Sequence, residues 1–130
     1  MGSEDRAPTA LAYAWRDALN ARDADAFGRL FGVAAEFVDV EHRTPDGQAP
    51  RVLRGRDEIV AVAVDWFART PAFRYEILDV VGDERRAAKR WRYVVGAIDV
   101  EGVTWLDCEG GRIQRALVLF DAVPLLRAGG

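Results

Sequence analysis

Apolar and polar positions follow two periods along this chain, and the change of period divides it. Leu11, Ala12, Trp15, Ala18 and Leu19 recur at i, i+3, i+4, i+7 spacing, which predicts an amphipathic helix from Ala10 to Ala21 with Thr9 as its N-cap. Asn20-Ala21-Arg22-Asp23 closes it. Asp23 or Asp25 can then cap a second, short helix from Ala24 to Phe31 whose Ala26, Phe27, Leu30 and Phe31 form an apolar edge. A third helix follows Gly55, with Asp57 as cap, Ile59, Val62, Ala63, Trp66 and Phe67 as its apolar side and Thr70-Pro71 as its stop. Elsewhere the period is two. Ala35 to Val40 has strand character, with Phe37 and Asp39 on one side and Val38, Val40 and His42 on the other. Arg43 to Pro50 reads as a loop, Arg51-Val52-Leu53 as a short strand, and Phe73–Val81, Ala87–Ile98, Val103–Asp107 and Arg112–Asp121 as a meander. Its turns are predicted at Gly82-Asp83-Glu84, Val100-Glu101-Gly102 and Glu109-Gly110-Gly111.

Helices first and a meander last predict an α+β fold, a cone-shaped curved antiparallel sheet with three helices on its concave face and an apolar pocket at its open end. The last strand adds a constraint. From Ala116 to Phe120 it has no polar residue, where a half-exposed strand would alternate. Ala116, Val118 and Phe120 are expected to floor the cavity. Leu117 and Leu119 then point outward, to be covered by a second copy in a homodimer.

Composition narrows the class. The chain has 130 residues, enough for one domain spanning about 9–126 with a real core. A net charge of −3 argues against a nucleic acid partner. No apolar run approaches a membrane span and the polar start has no signal core, so the expectation is a cytoplasmic protein. Cys108 is the only cysteine and His42 the only histidine, and with scattered carboxylates they give no metal-ligand spacing. There is no Gly-rich phosphate loop, so neither metal nor cofactor is expected. Lys89 is the only lysine among 18 basic residues, a bias read as genome base composition and given little functional weight.

Certain residues carry a resemblance. They are Ala21-Arg22-Asp23-Ala24-Asp25-Ala26, Phe37-Val38-Asp39, Gly55-Arg56-Asp57-Glu58-Ile59, Arg90-Trp91, Gly111-Arg112-Ile113-Gln114 and Phe120-Asp121. With the order of elements, the chain resembles the nuclear transport factor 2-like superfamily, and within it the SnoaL-like polyketide cyclases, ketosteroid isomerases and limonene epoxide hydrolases. The resemblance places Asp39 at the isomerases' general-base aspartate. It places Trp15 at their oxyanion-binding tyrosine and Gly102 or Val103 at their protonated aspartate, so their oxyanion pair is missing. Arg90 matches the epoxide hydrolases' arginine, but Arg92 and Val118 replace their aspartates, which disfavours that route.

The candidate site is therefore Asp39 and Arg90 as catalytic residues, with Trp15, Phe37, Trp66, Arg92, Val118 and Phe120 binding substrate. Asp39 would take a proton next to a carbonyl, and Arg90 or Arg92 would hold the resulting charge. Alternatively, Asp39 and those arginines form a structural ion pair. The resemblance's register puts Arg90, Arg92 and Val94 inside and is adopted here; hydrophobicity alone puts Trp91, Tyr93 and Val95 there. Strand alternation points His42 away from Asp39, and Cys108, beside a turn, is not expected to act as a nucleophile. The expected function is a cofactor-independent enzyme that isomerises, cyclises or dehydrates a small hydrophobic, polyketide- or steroid-like carbonyl compound. The alternatives are a non-catalytic ligand-binding or dimeric interaction domain and an epoxide hydrolase-like cyclase.

Overall fold

The structure, a computed structural model, describes residues 6–40 and 50–121. Helix α1 (Pro8–Asn20) starts with proline in its first turn, where a missing N–H costs nothing, and its N-cap is Ala7 with no side-chain cap, so Thr9 lies inside the helix. Helix α2 (Ala24–Arg29) is capped as expected: the Asp23 carboxylate accepts from the Ala26 N–H at 2.9 Å. Helix α3 (Arg56–Arg69) begins one residue before Asp57. Its N-cap is Gly55 at φ 89°, and Glu58 reaches back to accept from the Arg54 N–H at 2.8 Å. No described helix is long and apolar enough to cross a membrane.

The strands are β1 (Phe31–Asp39), β2 (Arg51–Arg54), β3 (Arg74–Gly82), β4 (Arg86–Val95), β5 (Ile98–Glu109) and β6 (Arg112–Phe120). They form one curved, unclosed sheet in the order β2-β1-β6-β5-β4-β3. The α+β cone with three helices is the expected one, but the sheet is mixed, because β1 runs parallel to β6 while every other neighbouring pair is antiparallel. The Gly110-Gly111 turn matches the sequence reading; both glycines have positive φ (61° and 71°), as a two-residue hairpin turn requires. The next turn does not match. β4 and β5 turn at Gly96-Ala97, so Val100-Glu101-Gly102 lies within β5.

Gly102 is needed there for space, not for turning. A Cβ on it would come within 2.3 Å of the Trp91 ring and 2.5 Å of the Leu119 carbonyl oxygen. The oxygen belongs to a paired strand and cannot move aside. Gly102→Ala should therefore cost about 1–3 kcal/mol, the usual range for overpacking, read as a lower urea midpoint with an unchanged slope.

Helix α1 lies across β3 and β4, and α3 packs on α2 and β1. The exposed edge of β3 is tied to α1 by a side-chain amide: Asn20 donates to the Tyr75 carbonyl and accepts from the Tyr75 N–H, each at 2.9 Å. This pair of bonds fixes the Tyr75 backbone against the C-terminal end of α1. The core then continues as aromatic contacts, Trp15 meeting Phe27 edge-on at 4.9 Å and Trp66 stacking on Phe73 at 4.8 Å.

Candidate functional site

On the concave side a cavity of about 440 Å³ is lined mostly by apolar and aromatic side chains from the helices and all six strands. Trp15, Phe37, Asp39, Trp66, Val118 and Phe120 all line it. Asp39 is 9% exposed. Phe37 lies in front of Trp15 with ring centroids 5.8 Å apart and planes at 18°, and Trp66 donates its indole N–H to the Tyr93 hydroxyl at 3.2 Å.

Two of the expected site residues are elsewhere. The side chains of β4 alternate with Ala87, Lys89 and Trp91 buried, so the hydrophobic parity holds and the parity taken from the resemblance does not. Arg90 is exposed on the outer face. Arg92 is paired there with Asp99, its Nε donating at 2.8 Å, and that ion pair holds the Asp99 carboxyl below its usual range. Trp91 and Tyr93 line the cavity in their place. Trp91 donates its indole N–H to Thr104 Oγ1 at 2.8 Å, which presents the ring edge-fixed beside the Tyr75 ring, 5.5 Å away.

The cation that faces Asp39 is Arg51, opposite it in the β1–β2 pairing. Arg51 Nη2 lies 3.8 Å from Asp39 Oδ2, a charge contact longer than a hydrogen bond. Sequence reasoning treated Arg51 only as part of a short strand. His42, and the Arg43–Pro50 loop apart from Pro50, lie outside the described residues.

A second group was missed altogether. Lys89 is 0% exposed, its stem packed inward between Ala87 and Trp91 along β4. Its Nζ sits 3.6 Å from the Trp15 ring centroid and 5.0 Å from that of Tyr75, and it finds no hydrogen-bond partner among the described residues. Burial drives its pKa far below the ordinary lysine value. A cation–π contact returns only about 2 kcal/mol to a desolvated ammonium, whereas desolvation costs several kcal/mol per ion. Burial therefore favours the neutral amine over the ammonium. Burial likewise pushes the Tyr75 hydroxyl well above its usual value, against a smaller opposing pull from Thr104. Cys108 is not activated: burial, then the Asp107 charge, pushes its thiol up to about 11.

The SnoaL-like domain profile matches residues 12–116. No curated protein matches the chain. Among solved structures, IdmH of Streptomyces antibioticus, a proposed polyketide cyclase, superposes with a TM-score of 0.76 at 17% identity, covering 96% of this chain and 100% of its own. A SnoaL-like protein from Burkholderia thailandensis gives 0.76 at 19% identity over 88% of this chain and 93% of its own. A proposed ketosteroid isomerase from Kribbella flavida gives 0.68 at 18% identity over 86% and 76%. At these identities the superpositions speak for the fold. The profile match covers most of the sequence, and with the helix-backed, curved sheet it shows that the chain belongs to the SnoaL-like domain family of the nuclear transport factor 2-like superfamily.

Proposed function

We propose that this protein is a cofactor-independent enzyme acting on a small hydrophobic carbonyl compound. Asp39 takes a proton from the carbon beside the carbonyl, and Arg51 stabilises the enolate oxygen, the part the sequence reading gave to Arg90 or Arg92. The observation that supports this reading is a carboxylate only 9% exposed at an apolar cavity, with a guanidinium 3.8 Å away. A cation beyond hydrogen-bonding distance of the carboxylate leaves donors for a substrate oxygen. Aromatic rings of Trp15, Phe37 and Trp66 suit a flat, ring-containing substrate. Isomerisation, aldol-type cyclisation or dehydration can follow from the one proton transfer.

The test is a thermal-shift screen of polycyclic ketones and diketones, followed by NMR of each binder in heavy water. Catalysed exchange of the α-hydrogens supports the reading; binders that keep their α-hydrogens as long with protein as without reject it. In that event the Arg51–Asp39 contact favours a ligand-binding domain without turnover.

The outer sheet face supports a homodimer. Val81, Ala88, Trp105 and Leu117 lie in one register row across β3, β4, β5 and β6, and Val103 pairs with Leu119 beside them. Val81 is 63% exposed, and Val103, Trp105 and Leu119 are about 40% exposed. Exposed apolar side chains grouped in this way suit an interaction surface, with Arg90 beside Val103 and Arg86 over the Trp105 ring at its edges. Light scattering should give twice the chain mass for wild type and the monomer mass for Trp105→Glu or Leu119→Glu; a monomeric wild type refutes the arrangement.

A further inference from the structure

We propose that Lys89 is a covalent carbonyl-binding site, its amine condensing with a ketone or aldehyde seated in the cavity. The register of the sheet supplies the geometry. Asp39 pairs with Val118, Val118 with Thr104, and Thr104 with Lys89, so the four form one row across β1, β6, β5 and β4. All four are buried, with exposures of 9%, 8%, 1% and 0% in that order. Three inter-strand spacings separate the two ends by about 14 Å on a flat sheet, and concave curvature brings the side chains closer. A single row therefore carries a carboxylate at one end and an amine at the other, with Val118 and Thr104 lining the cavity between them.

The amine lies buried in the kind of desolvated setting in which lysines serve as nucleophiles. Among the described residues it has no hydrogen-bond partner, and it lies 3.6 and 5.0 Å from the ring centroids of Trp15 and Tyr75, both of which line the cavity. Lys89 itself is fully buried and does not line the cavity, so condensation requires its flexible four-carbon stem to swing toward it. A desolvated, neutral lysine is the state that attacks carbonyls near neutral pH.

The step balances without an added oxidant or reductant. The nitrogen lone pair forms a bond to the carbonyl carbon, the C=O π pair moves to oxygen, and a proton passes from nitrogen to oxygen to give a carbinolamine. Loss of its hydroxyl, with one proton, as water leaves a C=N bond that carries a positive charge when protonated. That charge acidifies the neighbouring C–H, and this deepening rests on the reading of Asp39 as the base that removes the proton. Water reverses the condensation and frees the amine.

Because the chain has a single lysine, the test reads out at one position. Folded protein is incubated at neutral pH with 2-naphthaldehyde and cyanoborohydride, digested and mapped by mass spectrometry, with the N-terminal amine as the internal comparison. We expect a saturable adduct on Lys89, formed at least tenfold faster than in urea-unfolded protein, retained in Asp39→Asn and lost in Lys89→Met. Modification of the N-terminus alone, or of Lys89 no faster than in the unfolded chain, overturns the proposal. The wild-type map suffices even if the variant fails to fold. Missing adduct with Asp39-dependent exchange intact discards the covalent step and keeps the proposed function; adduct without exchange does the reverse.

Discussion

Replacing Asp39 with asparagine should lower turnover of an enolisable hydrophobic ketone by about 10²–10⁴-fold, the usual contribution of a positioned general base, with little change in ligand affinity. Asparagine keeps the shape and a polar oxygen but cannot accept the proton. The fold should tolerate it. The Asp39–Arg51 contact is 3.8 Å long and both side chains retain some exposure, 12% and 27%, so the loss of that contact removes a modest charge interaction. Arg51→Met should also reduce turnover, by removing the enolate's partner. Arg90→Ala should have no effect, because Arg90 is exposed on the outer face. Steady-state kinetics on the three variants, with circular dichroism to confirm folding, decide it. Full activity in Asp39→Asn, or a loss in Arg90→Ala matching that in Arg51→Met, contradicts the assignment.

The fold was legible because its signals are local. Helical spacing in 10–21, the Asp23 cap and two successive glycines at 110–111 each fix their element through neighbouring residues. The site was legible only in part. Phe37 and Asp39 share a face of β1 by simple alternation, and both line the cavity. On β4 two signals disagreed. The resemblance favoured Arg90 and Arg92 inside, whereas alternation favoured Trp91 and Tyr93, and alternation held because burying two arginines without partners costs far more than burying two aromatic rings. Arg51 went unassigned because its partnership with Asp39 is made by the pairing of β1 with β2, and nothing in the sequence shows it. Lys89 was passed over because its being the only lysine was read as genome base composition, and lysines are almost never fully buried. Its placement between Ala87 and Trp91, on the parity that proved to be inward, was the available signal. The expected turn at 100–102 failed for a related reason: Gly102 looked like a turn residue but serves to make room for the Trp91 ring.

Lys89→Met should raise the melting temperature at pH 7 by about 5 °C or more, an unusual direction for a fully buried position. Methionine is close in volume and needs neither hydration nor a partner. The pH dependence separates this cause from better packing. In the folded chain the lysine pKa lies well below its ordinary value, so between the folded value and the unfolded one near ~10.4 the unfolded state binds more protons. Wild-type stability therefore contains a penalty that is present at neutral pH and fades as pH rises toward the unfolded lysine value. Each unit of depression spanned corresponds to about 1.4 kcal/mol. Two other groups titrate in the alkaline range with the opposite sign. The Cys108 thiol, at about 11 in the folded state, and the Tyr75 hydroxyl both ionise more readily when unfolded, so they destabilise the folded chain as pH rises. Cys108 is present in wild type and variant and cancels in the difference; Tyr75, 5.0 Å from the substituted amine, stays protonated in both folded proteins up to pH 10 because burial holds its hydroxyl well above the usual value. The groups packed on the amine, Trp15 from α1 and Tyr75 from β3, are neutral at pH 7, and Thr104, opposite it on β5, carries no charge. The melting-temperature gap between Lys89→Met and wild type should thus narrow steadily from pH 7 to pH 10. A gap that stays constant across that range means that the lysine is charged in the folded protein, and the nucleophile inferred from its burial is then ruled out.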